Sequence, residues 1–235
     1  ELSKKGMYTN APHFLRNLAG KVLLMRRRDM ATEKIAELLS LQNIDFSSAY
    51  PRVRSLYTQK QLLQLIKGNP FAAHEELMTR VPQYENKLIS SVSVAEISSY
   101  MQNVLLRDAD QMSMAVALEV REPFLDKQLV QFVLSLSDDL KFPHTPKKLL
   151  VDSLGDLLPT EIVNRPKMGF VLPWQHWLRN DLRSFVDAQV QQLEKRALFE
   201  KGAVMGLWTR FLNDDPLITW SRIWHLVVLQ HWLTV

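Results

Sequence analysis

Apolar residues recur at helical spacing along nearly the whole chain, and the sustained two-residue alternation that a half-buried strand needs is almost absent. That pattern restricts the chain to an all-α fold. Phe14, Leu15, Leu18, Ala19, Val22 and Leu23 mark a helix that runs out into Arg26, Arg27 and Arg28, where cations complement the helix C-terminal dipole. Thr58 followed by Gln61 reads as a capping box opening a helix that Gly68, Asn69 and Pro70 stop. Pro82 breaks a short helix, and one or two long helices are expected from Lys87 to Met114. After a turn at 120–124 the pattern predicts a helix from Leu125 to Leu136, a loop through Pro143 and Pro146, and short helices around Leu149 and Ile162. The stretch from Leu217 to Leu233, apolar on most faces and carrying Trp220, Trp224 and Trp232, is expected to be a core helix.

A length of 235 residues with 46% hydrophobic content suffices for one sizeable core or two small ones. No repeat, low-complexity tract or long linker divides it, so the sequence favours a single unit. Cysteine is absent, which excludes a disulfide framework, a thiolate metal site and a cysteine nucleophile and fits a reducing, cytoplasmic setting. No signal-peptide core or 18-residue uncharged apolar run occurs, so no membrane partner is expected. A net charge of +4, from 29 basic and 25 acidic residues, is too small and scattered for a nucleic-acid footprint. The six histidines show no metal-ligand spacing, so no metal site is expected from this chain. No GxSxG, Walker-type or GxGxxG loop is present, and seven glycines leave little material for a backbone phosphate cradle.

Three places carry polar residues that a plain helical bundle would not need. Glu119, Arg121, Glu122 and Asp126 surround Pro123 and Phe124 after an apolar helix; they make either a helix end tied down by local ion pairs or a carboxylate at the mouth of a cleft. Asn164–Phe170, with Arg165 and Lys167 around Pro166 and then Gly169, is either an exposed turn or a loop presenting a lysine to an anion. Lys147 and Lys148 open a helix after Pro146, either as surface charges or as phosphate ligands.

The succession LLRDADQMSMAVALEVREPFLD, KKLLVDSLGDLLPTEIVNRPKMGF, WQHWLR and a tryptophan-rich last helix resembles the C-terminal part of the synthetase domain of glutamine-hydrolysing asparagine synthetases. The likeness runs from about Tyr100 to Val235; residues 1–99 match loosely, as a variable helical region. It implies the helical C-terminal portion of an adenine-nucleotide α-hydrolase-like (PP-loop ATPase) synthetase domain, lacking most or all of the parallel sheet. It also implies a two-step reaction: aspartate attacks the α-phosphorus of ATP to give an acyl-adenylate and pyrophosphate, and glutamine-derived ammonia then displaces AMP. Such chemistry asks for cations on the leaving pyrophosphate, Mg²⁺ to neutralise it and a carboxylate near the reacting centre.

By the same resemblance, Glu119 is the catalytic carboxylate of the LEVRxPFLD motif and Lys167 the catalytic cation of the RPKxGF loop. Lys147 would be a further pyrophosphate ligand, and the backbone at Val116 and Ala117 would line the nucleotide pocket. Arg121 and Asp126 would fix the turn that aims Glu119. The departures bear on substrate choice: Glu122 stands where an apolar residue is usual, Val116 where histidine is frequent and Val151 where arginine is frequent. The SGGxDS phosphate loop is missing from this sequence, as is the glutaminase domain with its cysteine. The expectation is therefore a fragment or split subunit, inactive alone, with most ATP and Mg²⁺ contacts supplied from outside it. A helical interaction module descended from this family, or an amidotransferase acting on a sugar or peptide carboxylate, stays open as an alternative. Helix faces stripped of a covering sheet should form an apolar patch, and self-association into a homodimer is expected from it.

Overall fold

The structure is a computed structural model describing residues 11–27, 29–71, 76, 78, 81, 87–141, 147–166, 168–169 and 171–234. Its helices in chain order are α1 (His13–Arg26), α2 (Met30–Leu39), α3 (Phe46–Arg54), α4 (Gln59–Leu65), α5 (Leu88–Glu96), α6 (Arg107–Met114) and α7 (Lys127–Ser135). There follow α8 (Asp138–Lys141), α9 (Lys148–Leu154), α10 (Thr160–Val163), α11 (Trp174–Arg179), α12 (Arg183–Glu194), α13 (Ala203–Leu212) and α14 (Trp220–Trp232). A π-helix, Ile97–Leu106, joins α5 to α6, and short 3₁₀ turns occupy Pro123–Leu125 and Gly155–Leu157. Among the described residues there is no strand, only an isolated antiparallel bridge between Ile66 and Phe199. The all-α expectation therefore holds. The break expected at Pro82 and the loop through Pro143 and Pro146 fall outside the described residues.

Where the sequence favours a single unit, the chain divides into two: Glu1–Glu75 with Val171–Val235, and Glu76–Phe170. The physical reason is that the larger unit is assembled from both ends of the chain and the smaller one from its middle. A division of that kind leaves no change of composition at the crossing points.

The larger unit is organised around α12, α13 and α14. Val186, Val190 and Leu193 of α12, Val204, Trp208 and Phe211 of α13, and Ile223, Leu226 and Val227 of α14 bury their side chains together with Leu178 and Leu65. Each such aliphatic contributes about 1.5–3 kcal/mol by leaving water. Glu194, at the end of α12, accepts hydrogen bonds from the Gly202, Val204 and Met205 amides and so caps α13 from another helix. Trp174 lies against Trp220 with rings 5.5 Å apart and nearly parallel, and against Trp224 at 4.7 Å, while Trp177 meets it edge-on. The capping box read at Thr58 is formed: its hydroxyl accepts from the Gln61 amide, and the Gln61 side chain accepts from the Thr58 amide at 3.1 Å.

Two features of this unit run against simple patterning. In α1 the buried positions are Arg16 and Gly20, one turn apart, while Phe14, Leu15, Leu18, Val22 and Met25 are exposed. Gly20 decides this, because a Cβ there would stand 3.2 Å from the Ala36 backbone, and only a bare glycine lets α1 and α2 approach so closely. The expected apolar patch is thus present on α1. The second feature is Arg222, in the middle of the core helix α14 and fully buried. Its guanidinium donates to the Leu56 carbonyl at 2.8 Å and to the Leu217 carbonyl, and lies over the Tyr57 ring. The Tyr57 hydroxyl in turn donates to the Arg222 carbonyl at 2.8 Å. Burial pushes the Tyr57 hydroxyl well above the ordinary tyrosine value, with the Arg222 charge offsetting part of that, so it remains a neutral donor.

Arg222→Met keeps the length of the side chain and removes its donors, leaving two buried carbonyls unsatisfied. It should destabilise the larger unit by about 2–4 kcal/mol, read as a lower urea midpoint; an unchanged midpoint would mean those bonds contribute nothing.

Candidate functional site

All the candidate residues lie in the smaller unit. Its foundation is a carboxylate that the sequence reading passed over. Asp138, opening α8, accepts the Ile89 amide at 2.7 Å, the Ser90 amide at 3.2 Å and the Ser90 hydroxyl at 2.6 Å. It thereby caps α5, whose own N-cap residue Lys87 makes no side-chain cap. Lys141 closes the arrangement, donating to the Ser90 hydroxyl at 2.7 Å and to the Leu134 carbonyl at 3.2 Å. Partial burial by itself raises the Asp138 carboxyl, but the Ser90 hydroxyl, the two amides and the Lys141 charge outweigh it and hold the group below the usual carboxylate range.

From this anchor the backbone runs without a break through α5, the π-helix and α6, fulfilling the expectation of one or two long helices over 87–114. The end of α6 is a Schellman turn. The Leu118 amide reaches back to the Ser113 carbonyl at 2.9 Å and the Ala117 amide to the Met114 carbonyl at 3.0 Å. Ala117 occupies the left-handed position at φ 58°, which usually falls to glycine. No sequence signal pointed there, since alanine is a helix former.

Beyond the turn, residues 118–122 carry no regular secondary structure, and Pro123 then starts the 3₁₀ turn. Glu119 and Arg121, two apart on this short arm, form an ion pair with 2.6 Å between Oε1 and Nη2. Their side chains are 69% and 85% exposed, so the pair contributes little to stability and acts on orientation instead. The Glu122 carbonyl accepts the Leu125 amide at 2.9 Å. Asp126 accepts the Gln128 and Leu129 amides at 2.9 and 3.0 Å and caps α7, which gives this residue a structural task.

Val116, Ala117 and Glu119 are therefore placed on one turn and its outgoing arm. The Val116 and Ala117 amides are committed to the carbonyls of Ser113 and Met114, so only their carbonyls stand outside the turn's hydrogen bonds. Such a backbone suits an amino donor, as on adenine, and does not suit phosphate. Lys147 sits elsewhere, at the start of α9 with left-handed backbone (φ 61°), its side chain exposed; Lys148 beside it pairs with Asp152 at 2.5 Å. The helix α9 packs on α8, whereas the Pro123–Leu125 turn packs on α7. Lys167 lies outside the described residues, between an exposed Arg165–Pro166 and Met168. Among the described residues no three of His, Asp and Glu come together to hold a metal ion, so the described residues do not by themselves fit Mg²⁺. No helix is long and apolar enough to cross a membrane.

Two measurements follow from this geometry. Because the folded Asp138 lies below its unfolded value, its stabilisation is complete above about pH 4 and is lost as pH falls through the folded value. Amide exchange in α5 should accelerate below pH 4 in the parent chain. Asp138→Asn should exchange faster at neutral pH and show a smaller acid dependence; identical profiles would contradict the cap. At Ala117, glycine relieves about 1 kcal/mol of left-handed strain and gives back a similar amount in unfolded-chain entropy, so Ala117→Gly should melt near the parent. Ala117→Val, β-branched at positive φ, should cost more than about 1 kcal/mol. Equal melting of all three would contradict the turn.

Comparison with known proteins came to the same group as the motifs. The family profile described as asparagine synthase matches residues 10–234. The chain is 31% identical over 185 residues to asparagine synthetase [glutamine-hydrolyzing] 1 of Bacillus subtilis, covering 75% of this chain and 28% of that protein. It is 28% identical over 196 residues to a putative asparagine synthetase [glutamine-hydrolyzing] of Mycobacterium bovis, covering 77% and 30%. With the asparagine synthetase [glutamine-hydrolyzing] of Gallus gallus it shares 38% identity over 103 residues, covering 40% and 18%. The matched region spans less than a third of the length of these relatives. No solved structure gives a significant match.

Proposed function

Because the chain belongs to the asparagine synthase family, we propose that it is the helical C-terminal part of an ATP-dependent amidotransferase that adenylates aspartate, or a related carboxylate, and transfers glutamine-derived ammonia to it. The observation carrying this reading is the family match over residues 10–234, nearly the whole chain. The relatives' length supports a division of labour in which the glutaminase domain and the SGGxDS loop belong to other parts of the protein. On this reading the chain alone neither hydrolyses glutamine nor binds ATP tightly, and micromolar binding of Mg·ATP by calorimetry would overturn that.

Each candidate residue has a task. Lys167, after Pro166, brings an ammonium to the oxygens where negative charge builds as pyrophosphate leaves. Lys147, exposed at the start of α9, adds a second cation to the same leaving group. The Val116 and Ala117 carbonyls accept from the adenine amino group. Glu119, on the arm that leaves the Schellman turn, serves as the carboxylate near the acyl carbon and as base toward ammonia.

A second reading of Glu119 is favoured by one observation, its 2.6 Å pairing with Arg121. A carboxylate so engaged can instead fix the arm while the catalytic carboxylate comes from outside the chain. The two readings separate in the native polypeptide that contains this sequence. If Glu119 is catalytic, Glu119→Gln abolishes aspartate-dependent exchange of pyrophosphate into ATP, by at least about 100-fold, with helix content intact. If it is a fastener, Glu119→Gln exchanges within a few-fold of the parent. Loss of exchange in Lys167→Met but not in Lys167→Arg would support the cation's role.

A further inference from the structure

The π-helix Ile97–Leu106 is ten residues long, uninterrupted, and in line with α-helices on both sides. Hydrogen bonds from i to i+5 are rare and usually confined to single-turn bulges, which are frequent at functional sites. Nothing in ISSYMQNVLL forbids an ordinary α-helix: it holds no glycine and no proline, and its leucines, methionine and glutamine favour one. Local propensity therefore does not explain the wider winding.

Side-chain hydrogen bonds along the segment do. The Asn103 side-chain amide donates to the Ser99 carbonyl at 2.9 Å, with a longer contact to the Ser98 carbonyl at 3.4 Å. The Ser99 hydroxyl donates to the Ala95 carbonyl. Both take the carbonyl four residues back, the one that the same residue's own backbone amide would take in an α-helix. Ser91 and Ser93 make the same i−4 bond in α5, to the Lys87 and Ile89 carbonyls at 3.0 and 2.8 Å. Packing places little weight against a change of winding, since no residue of the π segment is buried, whereas Ser90, Ser91 and Ala95 just before it are. The upstream end is clamped by Asp138, and the downstream end leads directly into α6 and its Schellman turn.

We propose that Ile97–Leu106 is a register switch, interconverting between π and α winding, with Ser99 and Asn103 as the pins of the π form. An α turn rises more per residue than the wider π turn. Conversion therefore lengthens the segment and turns α6 about its axis, carrying Ala117 and the Glu119 arm relative to the Asp138 clamp. This is independent of what Glu119 does chemically.

The absence of cysteine makes the test clean. Spin labels on Lys87→Cys and Met112→Cys, both exposed sites, bracket the segment in the full chain. Replacing both pins, Ser99→Ala with Asn103→Ala, should lengthen the mean label separation by about 3 Å against an α rise of ~1.5 Å per residue. Amide exchange over 97–106 should slow at least about tenfold as α bonds replace π bonds. An unchanged separation in a folded double variant overturns the proposal. A second reading needs no variant: in the parent chain, amides of 97–106 should exchange faster than those of both α5 and α6, and equal protection across all three overturns it as well.

Discussion

A buried guanidinium with no carboxylate against it organises the larger unit. Arg222 takes its hydrogen bonds from main-chain carbonyls, those of Leu56 and Leu217, so a charge in the core serves as a fastener between backbone segments far apart in sequence. Its position in the centre of α14 makes the packing of Ile223, Leu226 and Val227 conditional on those carbonyls being in place. The smaller unit uses the mirror image: Asp138 is a carboxylate answered mainly by main-chain amides, those of Ile89 and Ser90. In both cases the group lost to water is repaid by several directed bonds, which is the condition under which a buried charge is tolerated. The two differ in consequence, because Arg222 holds its charge at any ordinary pH whereas Asp138 can be neutralised by acid.

Local signals were legible in the sequence wherever the deciding atoms lie within a few residues. The box at Thr58 and Gln61, the stop at Gly68 and the helix ending near Arg26 all arise from contacts inside one turn, and each is present. The core helix near the C-terminus was readable too, because apolar residues on most faces leave few alternatives to burial. Where the deciding contact is distant, periodicity misleads. The apolar ridge of α1 looks like a core face, yet the close approach at Gly20 turns the other side inward. Asp138 reads as one more acidic residue until the fold brings Ser90 to it. The split into two units is of the same kind, a property of pairing and not of any stretch.

For the candidate site, the residues clustered between 112 and 126 were found because carboxylate, arginine and proline crowd behind an apolar helix. The structure adds how they are aimed. Alanine at the left-handed position gives no sequence cue, and the pairing of Glu119 with Arg121 depends on the short arm that follows it. Lys147 carries its own positive φ, equally silent in the sequence. Substrate choice is not written in these residues, since the parts of the relatives that lie outside the matched region make up more than two thirds of their length.

The tryptophans set how the molecule will appear to a spectroscopist. All six, from Trp174 to Trp232, belong to the larger unit, and four of them are gathered around Trp174. Their transition dipoles are close enough to share excitation, so they will emit as a collective chromophore. An emission trace of this protein reports on α11 to α14 and is blind to the helix that carries Glu119. The smaller unit, with tyrosine as its brightest residue, would be reached instead by a tryptophan placed there on purpose, whose colour would stand apart from the cluster's.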